Sequence, residues 1–196
     1  GLGVMGYPMA GHLAKRGHEV TVYNRTQIKA EAWVAEHRGQ YCKTPKAAAK
    51  GQEFVFVCVG NDDDLRQVVL GDTGILAGMA PGTILVDHTT ASANVAREIG
   101  AAAATQRTGF LDAPVSGGQI GAENGVLTVM VGGDSTTFAA AKPVIMSYAR
   151  HVERLGDVGA GQLTKMVNQI CIAGAIQGLA EALHFARSAG LDGEKV

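Results

Sequence analysis

The sequence predicts an α/β fold, a doubly wound and mostly parallel sheet followed by one long helix. Three observations carry that reading. Short β-rich runs alternate with helix-like stretches as far as residue 155, a pattern that places helices on both faces of a parallel sheet. Gly1, Gly3 and Gly6 stand at G-x-G-x-x-G spacing at the head of the first helix-like stretch, where such glycines open a nucleotide-binding βαβ unit. From Gly161 the alternation stops, and about 30 residues without proline read as a single helix.

Taken in order, residues 5–16 form the first predicted helix and "EVTVY" (19–23) the first strand. Helices over 26–38, 44–50 and 62–70 flank a second strand, "EFVFVCV" (53–59). "TILVDH" (83–88) is a third strand, followed by a helix near 91–104 and the strand-like "FLDAPV" (110–115). Residues 116–125 read as a glycine-rich connection into "VLTVMVGG" (126–133). A helix over 135–149 and the strand "HVERL" (151–155) complete the alternation. The final helix, 162–191, would run roughly 40 Å at ~1.5 Å per residue. Lys165, Asn168, Gln169, Gln177, Glu181 and His184 interrupt its apolar faces, which argues against a membrane span. Its apolar surround predicts burial in a large core or a subunit contact, and Gly190 suits its C-terminal cap.

Composition bounds the function. A chain of 196 residues with 46% hydrophobic content can bury the core of one domain with an appended element. A formal charge of −1 excludes a general attraction to nucleic acid or anionic membrane. Cys42, Cys58 and Cys171 lack metal-ligand spacing, so no metal site is expected. Cys58 in a strand-like run and Cys171 in an apolar helix read as buried thiols of a reducing compartment, and the expected location is cytoplasmic.

The glycine run and the end of the next strand specify a ligand. Gly1, Leu2, Gly3, Val4, Met5 and Gly6 bring free amides and a helix N-terminus to where a pyrophosphate would lie. After strand 19–23 comes Asn24-Arg25-Thr26. An acidic residue there would hold the 2′-hydroxyl of NAD. Arg25 can instead pair with a 2′-phosphate, and Thr26 can donate a hydrogen bond, so NADP is favoured with NAD possible. Two further loops, Cys58-Val59-Gly60-Asn61 and Asp87-His88-Thr89-Thr90, would border the nicotinamide half.

Two more stretches carry chemistry. Ser116-Gly117-Gly118 offers a hydroxyl and unobstructed amides, a nest suited to a carboxylate. Lys165 falls early in the long helix with Gln169 one turn on and Asn168 beside it. Apolar neighbours disfavour its ammonium and bring its pKa toward the range useful for proton transfer.

On these motifs the chain resembles the β-hydroxyacid dehydrogenases, which include 3-hydroxyisobutyrate dehydrogenase and semialdehyde reductases, with 6-phosphogluconate dehydrogenase more distant. The family's G-L-G-x-M-G-x-P-M-A-x-N-L pattern matches residues 1–13, with His12 where asparagine is usual. Its substrate motif matches "DAPVSGGQIGAENGVL" (112–127), and its catalytic G-x-G-x-x-x-K-x-x-N-N pattern matches "GAGQLTKMVNQ" (159–169). The resemblance implies a Rossmann-type dinucleotide-binding domain over 1–158, with 159–196 the long helix and the start of an all-α domain. It implies Lys165 as general acid/base, Ser116, Gly117 and Gly118 as holders of a small carboxylate substrate, and Gln169 where the pattern has a substrate-orienting asparagine. It further implies a strand ahead of the glycine run, a longer parent protein, and a homo-oligomer, dimer or tetramer. The expected activity is NADP-linked interconversion of a β-hydroxyacid and its semialdehyde. Imine-reducing relatives usually lack the lysine; an imine reductase and a non-catalytic NADP-binding module are the alternatives.

Overall fold

The computed structural model describes residues 1–196 as eight helices and eight strands. The glycine run leads into α1 (Gly6–Lys15), then β1 (Thr21–Val22), α2 (Gln27–His37), β2 (Gln40–Tyr41) and α3 (Pro45–Ala49). Next come β3 (Phe54–Val57), α4 (Asp62–Leu70), β4 (Ile84–Asp87), α5 (Ala93–Thr105) and β5 (Gly109–Asp112). The remainder is β6 (Val115–Ser116), α6 (Gly118–Glu123), β7 (Leu127–Gly133), α7 (Ser135–Ile145), β8 (Ala149–Gly156) and α8 (Ala160–Ser188). Local chemistry sets several starts. Asn61, Ser92 and Asp134 each accept a backbone N–H in the first turn of α4, α5 and α7, satisfying donors that the helix leaves free.

β3, β4 and β5 pair in parallel. β7 joins β5 and β6 antiparallel and β8 in parallel. β1 and β2 form a separate parallel pair. Strand alternation divides two cores. Leu85 and Phe110 face α4 and α5 with Leu65, Val95 and Ile99. Val86 and Leu111 face the other way, toward α1 and α7 with Met9, Leu13 and Ile145. Helices on both faces of a mostly parallel sheet make the fold doubly wound, as the alternation predicts. Between β1 and β3 lies a cavity of about 950 Å³, walled by Leu13, Val20, Val22, Phe54 and Phe56, with Gly1 and Cys58 also at its lining.

Several elements differ from expectation. β1 is two residues long because its register with β2 covers only Thr21↔Gln40 and Val22↔Tyr41. The predicted helix 135–149 stops at Ile145, since Ala149 pairs with Leu127 to begin β8. The glycine-rich connection contains a short helix, α6, where the sequence predicts only a connection. α8 ends in a Schellman turn at Gly190, where Leu191 N–H donates to Ala186 O and Gly190 N–H to Arg187 O. Of the two burials expected of α8, a large core or a subunit contact, the first is corrected. Only its N-terminal turns pack on β7, β8, α5 and β5, and Met166, Ile170, Ile176, Leu179 and Phe185 are exposed. Cys171 is therefore exposed, and Cys42 and Cys58 are half-buried.

Candidate active site

The glycine run is held against two strand ends. Leu2 N–H donates to Asn24 Oδ1 at 2.9 Å, and Asn24 Nδ2 donates to Thr26 O at 2.9 Å. A Cβ on Gly1 would lie 2.6 Å from Cys58 O, and one on Gly6 would collide with the Gly1 carbonyl. Side chains are thus excluded where the turn tightens. Gly3, by contrast, has open space where its Cβ would be, so a phosphate can approach its backbone. Val4 is exposed beside it, and Met5 occupies the α1 N-cap without a side-chain cap bond. The amides of the first turn are left for an anion. Arg25 is also on this side, its guanidinium exposed and 3.3 Å from Asp64 Oδ1. These features fit a dinucleotide.

The two loops of the nicotinamide half are joined by Val59 N–H, which donates to Thr89 Oγ1 at 3.1 Å. Gly60 lies between them and Asn61, whose carboxamide is spent on the α4 cap. Thr89 is fully buried, so its hydroxyl shapes the loop from within, while Thr90 stands exposed beyond it.

Ser116 ends β6 half-buried, and Gly117 and Gly118 are exposed at the start of α6. Their φ angles of 129° and 60° are left-handed, a region that side chains rarely adopt. α6 is tied back to the glycine-run helix. His12 Nε2 lies 3.0 Å from both Ala122 O and Glu123 O. Lys165 sits in the second turn of α8, and partial burial holds its ammonium below the usual lysine range. Asn168 Nδ2 donates to Gln169 Oε1 at 3.3 Å one turn later.

Asp87 and His88, expected to border the nicotinamide half, are instead fully buried, and with Asp112 they form a polar layer beneath these loops that the sequence does not predict. Asp87 and Asp112 are in register at the ends of β4 and β5. Asp87 Oδ1 accepts Thr89 N–H at 2.9 Å, while its Oδ2 has no partner. Burial pushes the Asp87 carboxyl up to about 7, with neighbouring Asp112 adding to the effect. Burial also raises Asp112, against the N–H groups of Gly159 and Gln162 that donate to it at 2.7 and 2.9 Å. His88 is buried between Ala113 O and Tyr148 Oη and pushed down to about 4. Burial pushes the Cys58 thiol up to about 11. One sequence signal was available: "ILVD" and "GFLD" both end an apolar strand on aspartate.

Comparison with known proteins places the chain in a family. Residues 1–156 match the family model for the NAD binding domain of 6-phosphogluconate dehydrogenase. Residues 159–196 match that for the NAD-binding region of NADP-dependent 3-hydroxyisobutyrate dehydrogenase. The chain belongs to the β-hydroxyacid dehydrogenase family.

Among relatives of this chain, an uncharacterised oxidoreductase of Shewanella frigidimarina is 70% identical over all of this chain and 67% of its own length. A 3-hydroxyisobutyrate dehydrogenase of Pseudomonas aeruginosa is 38% identical over 98% of this chain and 64% of its own. The solved Mycobacterium tuberculosis 3-hydroxyisobutyrate dehydrogenase with L-serine superposes with a TM-score of 0.92 at 34% identity, over 98% of this chain and 65% of that one. The chain thus spans about two thirds of the length of these relatives. An imine reductase from Myxococcus stipitatus, 24% identical with a TM-score of 0.85 over 100% of this chain and 67% of that one, shares the fold. The family's chemistry is nicotinamide-dependent oxidoreduction.

Proposed function

We propose that this chain carries the cofactor site and the proton-transfer group of an NADP-preferring enzyme that interconverts a small β-hydroxyacid and its semialdehyde. Lys165 carries the reading. It enters none of the ion pairs, and burial favours release of its proton. Relatives named for 3-hydroxyisobutyrate and for L-serine, both β-hydroxyacids, support the substrate class.

In this reading Ser116 Oγ and the amides of Gly117 and Gly118 hold the substrate carboxylate. Gln169 and Asn168 orient the reacting carbon, with glutamine reaching one methylene further than asparagine. Residues 1–6, Asn24-Arg25-Thr26, the 58–61 loop and Thr90 would hold the dinucleotide. When bound, its nicotinamide supplies or accepts the hydride. In reduction the Lys165 ammonium donates a proton to the carbonyl oxygen, and in oxidation its free amine takes the hydroxyl proton. Arg25 supports the NADP preference, because no acidic residue stands among residues 24–26 to hold a ribose 2′-hydroxyl.

The test is NADPH oxidation by the intact enzyme over a panel of carboxylate semialdehydes and cyclic imines. Turnover of a semialdehyde with imines inert is expected. Turnover of imines alone overturns the proposal.

A further inference from the structure

Gln162 lies 1% exposed in the first turn of α8, one turn before Lys165. A buried glutamine must satisfy both ends of its amide, and both ends go to one loop. Its Oε1 accepts Ala91 N–H at 3.0 Å, and its Nε2 donates to Thr89 O at 2.7 Å. The α8 backbone is anchored beneath it. Asp112 accepts Gly159 N–H and Gln162 N–H through its two oxygens. A Cβ on Gly161 would come 2.5 Å from Asp112 O and Met130 O, so the helix start is seated directly on β5 and β7. Thr89 in turn accepts Val59 N–H. A continuous chain of bonds therefore runs from the 58–61 loop, through the 89–91 loop, to the helix turn that carries Lys165.

We propose that Gln162 is a positioning residue that fixes the 89–91 loop against the Lys165 helix, and so sets the separation between the hydride and proton transfers. The proposal rests on the function given above. Hydride and proton must reach neighbouring atoms of one carbonyl, and small misplacement of reacting groups is costly. Gln162 touches neither substrate nor cofactor in this role. It acts through Thr89, Ala91 and the first turns of α8.

The experiment compares wild type with Gln162→Met, which keeps the length and loses both hydrogen bonds, in the intact protein. Without any cofactor, deuterium exchange at the Ala91 amide should accelerate about tenfold or more in the variant. With saturating NADPH and the best semialdehyde, kcat should fall about 10- to 100-fold, while KM for the semialdehyde stays close to wild type. Wild-type exchange at Ala91 overturns the proposal, and so does fast exchange with kcat intact.

Gln162→Glu gives a second, independent arm. A protonated glutamic acid reproduces the donor and acceptor, and a glutamate loses the donor. Burial, with Asp112 and Asp87 on β5 and β4, raises its pKa; Lys165 and the Arg97 guanidinium against Gly159 act the other way. The variant's kcat should rise toward wild type as pH falls, an ionisation the wild type lacks. A pH profile parallel to wild type overturns the proposal even if Gln162→Met does not fold. A wild type inactive on every semialdehyde defeats the proposed function; an active wild type indifferent to both substitutions defeats this proposal alone.

Discussion

His88 Nε2 lies 2.7 Å from the Tyr148 hydroxyl, with both side chains fully enclosed. The other ring nitrogen, Nδ1, lies 2.6 Å from Ala113 O. A carbonyl only accepts, so Nδ1 carries the proton and donates, and Nε2 accepts from Tyr148 O–H. Tyr148→Phe removes that donor and leaves Nε2 buried without a partner. The loss should be about 1–3 kcal/mol, the cost of an unsatisfied buried polar atom. Denaturant unfolding checks it; an unchanged midpoint contradicts the assignment.

Adjacent residues 87 and 88 should oppose each other in their pH dependence. His88 titrates near 4 when folded, below its ordinary 6.5, so its contribution is complete above 6.5 and lost as pH falls toward 4. Asp87 titrates near 7 when folded, above its ordinary 3.8, so its contribution is complete below 3.8 and lost as pH rises through 7. Between these limits the slopes offset. Asp87→Asn removes one of them, so the stability of the variant relative to wild type should climb as pH rises from about 4 to about 7. Thermal unfolding across that range tests it, and parallel curves for the two proteins contradict it.

The Arg25 guanidinium is predicted to read the 2′-phosphate. Arg25→Asp should narrow the NADPH over NADH preference in kcat/KM by a factor matching about 1.5–3 kcal/mol, the worth of a charged hydrogen bond. An unchanged ratio places the discrimination elsewhere.

Gly117→Val puts a branched side chain at a left-handed φ of 129°, with its Cβ 3.1 Å from Leu127 Cδ2. The nest geometry should fail, raising KM for acid substrates while NADPH affinity holds. Normal KM in a folded variant excludes this loop as the carboxylate site.

Much of this layout was legible in residue order. α4 has its predicted bounds, 62–70, because Asn61 caps it and three aspartates occupy the positive end of its dipole. The spacing of the glycine run and the apolar neighbours that hold the Lys165 ammonium low were also readable in the sequence. α6 was hidden because Gly118, Gly121 and Asn124 read as turn residues, whereas His12 caps its last carbonyls from a helix over 100 residues away in sequence. That contact is tertiary, and no local pattern encodes it. The Asp112–Gln162 link was hidden for the same reason: its partners are 50 residues apart. For α8 the sequence points to an apolar helix that needs cover without saying what covers it. Its apolar faces signal a partner surface, but beyond its first turns no element of the chain packs along it.

Lys165→Ala in the intact enzyme tests the central claim most directly, through the pH profile of kcat for semialdehyde reduction. Wild-type turnover should fall on the basic side as the Lys165 ammonium, already held low by burial, loses its proton. The alanine variant should keep NADPH binding, turn over about 10²- to 10⁴-fold more slowly, and lack that basic limb. A variant with near wild-type turnover and the basic limb intact would contradict Lys165 as the proton donor.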